Sequence, residues 1–138
     1  MNIENILHKI RLKGGRITKI RQTILQFLIR KTCLASQKAI QEYLTHQNLQ
    51  PNRSTLFREL QYLVQHNIVI KNTISGMDYY EIPKEHHHHL ICTSCSSIQK
   101  ICLNEHFEDY EKKIALEKNF FITSHSLEFY GYCTQCQT

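Results

Sequence analysis

Two closely spaced cysteine pairs are the first features of this chain that could do chemistry: Cys92 with Cys95, and Cys133 with Cys136. A C-x-x-C loop lets two thiolates converge on one ion, and a second loop completes the tetrahedral sulfur shell that structural zinc prefers. The spacing therefore predicts one closed Zn²⁺ site made by all four cysteines. The alternatives are a pair of disulfides or four unrelated buried thiols.

A run of four histidines, His86 to His89, precedes the first cysteine pair. If residues 86–91 form a strand, alternation sends His86 and His88 to one face and His87 and His89 to the other. The run then makes two metal sites, each of which needs further ligands. The sequence offers Glu81, Glu108 and His125. Imidazole and carboxylate together suit Zn²⁺, Fe²⁺ or Mn²⁺ and do not choose among them.

The rest of the sequence predicts a soluble, cytoplasmic protein with no membrane partner. Residues 1–9 lack the apolar core and cleavage site of a signal peptide, and no run of about eighteen apolar residues occurs. Paired cysteines in a reducing compartment more often hold metal than each other, which favours the zinc interpretation. The length of 138 residues allows two small domains, and a metal site would stabilise one that buries little core.

Charge is distributed unequally along the chain. Residues 1–83 carry twelve Lys and Arg against five acids, a net charge of +7, whereas residues 84–138 carry five bases against seven acids, a net charge of −2. A basic half joined to a mildly acidic, metal-rich half indicates a polyanion binder with a separate regulatory or assembly module. On charge alone, an ordinary solvated basic face is the alternative.

The elements that would position these residues follow from hydrophobic spacing in the basic half. Apolar residues recur at helical spacing in four segments, which begin near Ile3, after Thr18, after Ser36 and at Arg53. Thr18 and Ser36 can cap the second and third helices. Residues 68–70 and 79–82 then flank a turn at 73–76 and predict a β-hairpin. Helices followed by a two-stranded wing predict a winged helix-turn-helix.

In a winged helix-turn-helix the fourth helix, from about Arg53 to Gln65, enters the major groove of DNA with its N-terminal half. The candidate contacts there are Ser54, Thr55, Phe57 and Arg58. Arg58 can pair with guanine or with a phosphate. Phe57 can make only apolar contact, for example with a thymine methyl group, and core packing is the alternative for its ring.

The order of these motifs resembles the ferric uptake regulator family of bacterial metal-dependent repressors. The winged helix is followed by H-H-x-H-L-I-C-x-x-C at residues 86–95 and by T-x-H-S-L-x-x-Y-G-x-C-x-x-C at residues 123–136. The resemblance covers nearly the whole chain, including the Thr18-x-x-Arg21 motif and residues 54–58. It implies an α+β fold, with a winged-helix DNA-binding domain at residues 1–83 and a small α/β dimerisation domain with a zinc site at residues 84–138.

The resemblance also implies a function and its partners. The protein would be a metal-responsive repressor of metal-uptake or oxidative-stress genes that binds a palindromic operator in double-stranded DNA as a homodimer. We expect the dimer interface on the strands of the C-terminal domain, built from Ile98, Ile101, Ile122, Leu127 and Phe129. The regulatory ion would be Fe²⁺, Zn²⁺ or Mn²⁺, and the structural ion Zn²⁺.

The family pattern assigns roles residue by residue. The four cysteines match its structural zinc site. A second site within the dimerisation domain matches His86, His88, Glu108 and His125, and the family often has Asp in the place of His88. The sensing site between the two domains matches Glu81, His87 and His89. Arg16 matches a basic residue that reaches the minor groove, and Phe57-Arg58 matches the Tyr-Arg of the major groove. The remaining expected DNA contacts are Lys19, Arg53, Ser54 and Thr55.

This chain departs from the pattern at the sensing site. Leu34 stands where iron and peroxide sensors have a histidine, Lys100 and Ile101 stand where they have an acid, and Glu81 stands where zinc sensors have a cysteine. Cys33 or Cys102 could supply the missing ligand, although a buried thiol is the alternative role for each.

Two other functions follow from these features: a DNA-binding protein whose metals are all structural, and a zinc-dependent hydrolase. The hydrolase lacks support because the chain has no H-E-x-x-H motif.

Overall fold

A computed structural model of the chain describes residues 2–103 and 107–137. The chain divides into two compact units, Met1–Glu85 and His86–Thr138, and each contains helices and a three-stranded sheet. The predicted α+β class is confirmed. The division falls two residues after the predicted boundary between residues 83 and 84.

Four helices begin the first unit: α1 (Ile3–Leu12), α2 (Lys19–Arg30), α3 (Gln37–His46) and α4 (Arg53–Gln65). Each begins after a residue whose side-chain oxygen accepts a backbone N–H of the first turn; these caps are Asn2, Thr18, Ser36 and Asn52. The predicted caps at Thr18 and Ser36 are therefore confirmed. A cap of this kind contributes about 1 kcal/mol, so the four helix starts are set locally by the sequence.

The core of the first unit is formed by the apolar faces of these helices. Its fully buried members are Ile6, Ile10, Ile24, Leu25, Leu28, Ile40, Leu44, Leu56, Leu60 and Leu63. Helix α4 contributes Leu56, Leu60 and Leu63, at spacings of four and three residues that place them on one face. Burial of this face fixes the rotation of α4 about its axis and leaves its remaining side chains outside the core.

The predicted hairpin of the wing is present, and its sheet contains a third strand that was not predicted. Strands β2 (Ile70–Ile74) and β3 (Met77–Glu81) form the expected hairpin, and a two-residue strand β1 (Ala35–Ser36) pairs antiparallel with β3. The hairpin turns at Ser75-Gly76, both of which have positive φ, as a tight two-residue turn requires. Since Ser36 also caps α3, the third strand ties that helix to the wing.

The second unit contains β4 (His88–Cys92), β5 (Ile98–Ile101), α5 (Phe107–Lys118), β6 (Glu128–Gly131) and a 3₁₀ turn at Thr134–Cys136. Its sheet has the order β5-β4-β6, in which β4 is antiparallel to β5 and parallel to β6. The strand predicted to begin at His86 begins at His88. Of the predicted interface residues, Ile98, Ile101 and Phe129 lie on strands, whereas Ile122 and Leu127 precede β6 and lie outside them.

Much of the apolar surface of the second unit is exposed. No residue of α5 is buried, and the side chains of Leu116 and Phe121 are 85% and 88% exposed. Tyr110, Ile114, Phe120, Phe129, Tyr130 and Tyr132 are also exposed. Within the described ranges, no helix is both long and apolar enough to cross a membrane.

Candidate metal centres and nucleic-acid interface

The four cysteines of the two C-x-x-C motifs meet in the second unit. Parallel pairing of β4 with β6 places Cys92 opposite Gly131, and Cys133 follows two residues later. All four sulfur atoms lie within 4.8 Å of one another, and Sγ of Cys95 is 3.8 Å from Sγ of Cys133. Neighbouring corners of a tetrahedron with Zn–S bonds of about 2.3 Å are roughly 3.8 Å apart, so the sulfur atoms fit a zinc ion.

This geometry decides against both alternatives for the cysteines. None of the six cysteines forms a disulfide, and 3.8 Å is far from the S–S bond length of about 2.05 Å. Because four sulfur atoms from two distant parts of the chain converge, the thiols are not unrelated either.

The electrostatics of the cysteine cluster also suit a cation. Hydrogen bonds from the backbone amides of Cys95 and Cys133 lower the pKa of Cys92 to about 6. The adjacent sulfur of Cys133 raises the pKa of Cys136 to about 12. Crowded thiols cannot all ionise without a counter-charge, and a bound divalent cation would supply it.

His86, His88 and His125 form a second cluster, with donor nitrogens within 4.8 Å of one another. The ring centroid of His86 is 4.7 Å from that of His88 and 4.7 Å from that of His125. Nε2 of His88 and Nε2 of His125 are buried and have no hydrogen-bond partner in the described part of the chain. Burial, together with the neighbouring imidazoles of His86 and His125, lowers the pKa of His88, which favours the neutral form that binds metal.

Among the described residues, one carboxylate that was not predicted, that of Glu111, contacts this cluster. Oε1 of Glu111 contacts Nδ1 of His125. Glu108, the predicted ligand, lies in the first turn of α5, is exposed, and does not belong to the group of converging ligand atoms. Both acids occur on the same helix three residues apart, so helical spacing places them on one face and does not choose between them.

His87 and His89 form the third group of the second unit. Their ring centroids are 5.0 Å apart and the rings are nearly perpendicular. The rings of the four-histidine run therefore pair as strand alternation predicts. Burial and the neighbouring imidazole of His87 lower the pKa of His89 to about 4, so His89 is neutral at physiological pH. Glu81, the predicted third ligand, ends β3 in the first unit and is 8% exposed.

The residues predicted to contact DNA are accessible. Arg16, Lys19, Arg53, Ser54, Phe57 and Arg58 are exposed, and Thr55 is partly exposed. The ring of Phe57 is 51% exposed, so the core-packing alternative for it is wrong. Nε of Arg58 donates to the carbonyl of Ser54 at 3.3 Å, which holds the Arg58 side chain along the N-terminal turn of α4.

A largely buried ion pair, which was not predicted from the sequence, joins α2 to α4. Nε of Arg21 lies 2.8 Å from Oε2 of Glu59, and the Arg21 guanidinium stacks over the ring of Tyr62 at 3.7 Å. Nη1 of Arg21 also donates to the carbonyl of Arg16. One side chain therefore connects the segment that carries Arg16 to the helix that carries Arg58.

Gly15 allows this segment to approach α4 closely. A Cβ atom there would lie 2.0 Å from Oη of Tyr62 and 2.8 Å from the side chain of Ile10. Any larger residue would require Tyr62, Ile10 or the segment containing Arg16 to shift. Close packing at Gly15 and hydrogen bonding at Arg21 thus hold the same loop.

The sequence profile of the ferric uptake regulator family matches residues 12–130. The chain belongs to the ferric uptake regulator family. A ferric uptake regulation protein of Legionella pneumophila is 30% identical over 127 residues, which cover 90% of this chain and 93% of that protein.

Solved structures of ferric uptake regulator family proteins share the fold. That of the Helicobacter pylori ferric uptake regulator, which has three functional metal-binding sites, matches with a TM-score of 0.83 at 25% identity. The match covers 100% of this chain and 95% of the other. PerR of Streptococcus pyogenes, a peroxide-sensing gene regulator, matches with a TM-score of 0.55 at 26% identity over 98% of this chain and 92% of its own.

Membership of the ferric uptake regulator family establishes the class of function. The chain is a metal-responsive transcription regulator, its family binds DNA operators, and the hydrolase alternative is wrong because these regulators are not enzymes. The two cysteines outside the C-x-x-C motifs are not buried, so the alternative prediction of a buried thiol is wrong for both. Cys102 is exposed and Cys33 is partly exposed.

Proposed function

We propose that this ferric uptake regulator family member is a cytoplasmic, homodimeric repressor whose affinity for a palindromic operator rises when a regulatory Fe²⁺ or Zn²⁺ binds. Its genes would be those of metal uptake or of metal and oxidative stress. The main support is the pair His87 and His89, which is separate from the cysteine cluster and contains a buried neutral imidazole. A separate site matters because an ion that is needed for folding cannot also report its own scarcity without unfolding the protein.

In this proposal Glu81, His87 and His89 bind the regulatory ion. Glu81 ends the wing and the two histidines begin the second unit, so an ion held by all three would restrict how the units move relative to each other. That restriction would set the spacing of the two α4 helices in a dimer. The ion acts by population shift, and only as far as it binds the DNA-competent arrangement better than the other arrangements.

The exposed apolar surface of the second unit supports a homodimer. Monomeric proteins rarely expose apolar patches larger than a few hundred Å². Here Tyr110, Ile114 and Leu116 are exposed on α5, and Phe129 and Tyr130 are exposed on β6. A second copy of the chain fits this surface, since a C₂ interface needs one self-complementary patch. Sedimentation of the zinc-loaded protein should give the mass of a dimer, and a monomer at micromolar concentration would contradict this part of the proposal.

Metal-titrated DNA binding tests the proposal as a whole. Protein that retains its structural zinc is titrated with Fe²⁺ (anaerobically), Zn²⁺ or Mn²⁺ against a palindromic operator. Affinity that rises with one of these ions supports the metal-dependent repressor. The second candidate is a DNA-binding protein whose metals are all structural, and it is favoured by Leu34 in place of the family's sensing histidine. Affinity that is unchanged when only the regulatory ion is removed would establish that candidate.

His87→Ala should weaken metal-dependent operator binding and leave the dimer intact. Loss of a residue that only supports a metal ligand costs roughly 10–100-fold in metal affinity, so loss of a ligand should cost at least that much. The measurement is the ion concentration at half-maximal DNA binding, by fluorescence anisotropy. The matched control is His8→Ala, which removes an exposed imidazole from α1. A titration equal to that of the control would exclude a sensing role for His87.

Arg58→Ala should weaken operator binding by about 1–3 kcal/mol if Arg58 pairs with a base. Arg30→Ala, which removes an exposed guanidinium from the last turn of α2, is the control for loss of charge. Competition with a scrambled duplex distinguishes a contact of Arg58 with a base from a contact with a phosphate. Loss confined to the operator indicates base recognition, whereas an equal loss on both duplexes with a shallower salt dependence indicates a phosphate contact.

A further inference from the structure

We propose that Glu111 orients His125 for metal binding without itself binding the ion, and so sets the affinity of the site formed by His86, His88 and His125. This inference rests on the second metal site predicted for the family. It adds a residue outside the predicted ligand set, and it gives Glu111 a role different from that predicted for Glu108.

The contact at Nδ1 determines what His125 can offer an ion. A neutral imidazole carries its proton on one nitrogen and a lone pair on the other. Because the Glu111 carboxylate contacts Nδ1, it accepts a hydrogen bond from a proton placed there. The lone pair is then on Nε2, which is buried and has no hydrogen-bond partner among the described residues. His88 presents a second buried Nε2 in the same cluster.

Helix α5 holds His125 at two points of one face. Phe107 and Glu111 are four residues apart, so they lie on the same side of the helix. The Phe107 ring centroid is 5.8 Å from that of His125 and 5.2 Å from that of His88. The aromatic ring limits where the two imidazoles can sit, and the carboxylate limits how His125 can rotate. The side chains of His125 and Glu111 are 24% and 30% exposed, so water has limited access to their contact.

A carboxylate behind a ligating histidine has two chemical effects. It fixes the tautomer and the ring orientation, and it makes the ligating nitrogen more basic. The three atoms offered to the ion remain imidazole nitrogens, which suit Zn²⁺ and Co²⁺ better than Mn²⁺. We therefore expect the site to take Zn²⁺ or Co²⁺ and to lose affinity when the carboxylate is removed.

Cobalt binding to the full-length protein tests this role. The cysteine site is kept filled with zinc, and Co²⁺ is added as the probe. In a His87→Ala background, which disables the proposed regulatory site, its visible d–d absorption reports the second site, whereas sulfur-to-cobalt charge transfer would reveal exchange into the cysteines. Glu111→Ala should weaken Co²⁺ binding roughly 10–100-fold. Glu111→Gln should recover most of the affinity, because the amide oxygen still accepts from Nδ1. The control, Glu117→Ala, removes an exposed carboxylate from the same helix and should have no effect.

The tautomer of His125 gives a measurement that a general loss of stability would not change. Long-range ¹H–¹⁵N NMR of the zinc-loaded protein without cobalt should show His125 protonated on Nδ1, and Glu111→Ala should give a mixture of tautomers. Wild-type protein that takes up no Co²⁺ beyond the cysteine site would overturn the second site itself. If Co²⁺ binds and Glu111→Ala binds it as tightly as the Glu117→Ala control does, only the orienting role of Glu111 is excluded. Equal losses in Glu111→Ala and Glu111→Gln, with a changed d–d spectrum, would identify Glu111 as a direct ligand.

Discussion

Cys92→Ser should release the structural zinc and unfold the second unit of the protein. The binding free energy of structural zinc in small domains is on the order of 10 kcal/mol, and in such domains it is folding free energy. Little else can replace it, because the buried residues described in this unit are only His88, His89, Ile91 and Cys92. We expect loss of one zinc per chain by elemental analysis, loss of the second unit's amide dispersion by NMR, and loss of the proposed dimer by sedimentation.

Cys102→Ser is the matched control for this prediction. Cys102 is exposed and lies outside the four-sulfur cluster, so the same change of sulfur to oxygen should leave zinc content and folding intact. A Cys92→Ser protein that is free of zinc, folded and dimeric would show that the cysteine cluster is not what stabilises the second unit.

Arg21→Ala should destabilise the first unit by about 3–5 kcal/mol, because it leaves the Glu59 carboxylate without its partner in a largely buried position. The side chains of Arg21 and Glu59 are only 9% and 16% exposed, so solvent screens the pair weakly. The substitution also removes the hydrogen bond to the Arg16 carbonyl and the stacking on Tyr62. The loss in the free energy of unfolding is measured by urea denaturation, followed with a signal from the first unit. Operator affinity should fall as well, since the loop carrying Arg16 loses its attachment to α4.

An exposed ion pair in the wing provides the contrast. Nζ of Lys71 lies 4.0 Å from Oδ2 of Asp78, and both side chains are well exposed, at 45% and 37%. Surface pairs of this kind contribute about 0–1 kcal/mol, so Lys71→Ala should change the urea midpoint little. If Arg21→Ala and Lys71→Ala shift the midpoint equally, the pair between α2 and α4 contributes no more than a surface contact.

The helices of the first unit could be predicted because their signals are local. Thr18 and Ser36 cap the helices that follow them, and Leu56, Leu60 and Leu63 mark one face of α4 within a few turns. Strand β1 could not be predicted in this way. It is two residues long, too short for a period-two pattern, and it exists because Ala35 and Ser36 pair with residues more than forty positions away.

The metal centres show the same division between local and distant information. The cysteine site could be predicted because each C-x-x-C loop already contains the geometry of two ligands. The pairing of the four histidines followed from strand alternation, although the strand itself starts at His88. Glu111 was missed because the choice between two acids one helical turn apart depends on how α5 packs against His125. Arg21 was missed because its partner lies 38 residues away, on another helix.

The parallel pairing of β4 with β6 has a consequence for the lifetime of the protein. Each of these strands leads into one C-x-x-C pair, so an ion bound by the four cysteines would hold together segments that are 41 positions apart in the chain. Without the ion, the segment after α5 would open and offer its aromatic residues to proteases. Degradation follows the population of such opened states, so the number of copies of the protein should fall when zinc is scarce. Zinc starvation would then relieve repression by depleting the regulator, whichever ion the second and third clusters bind.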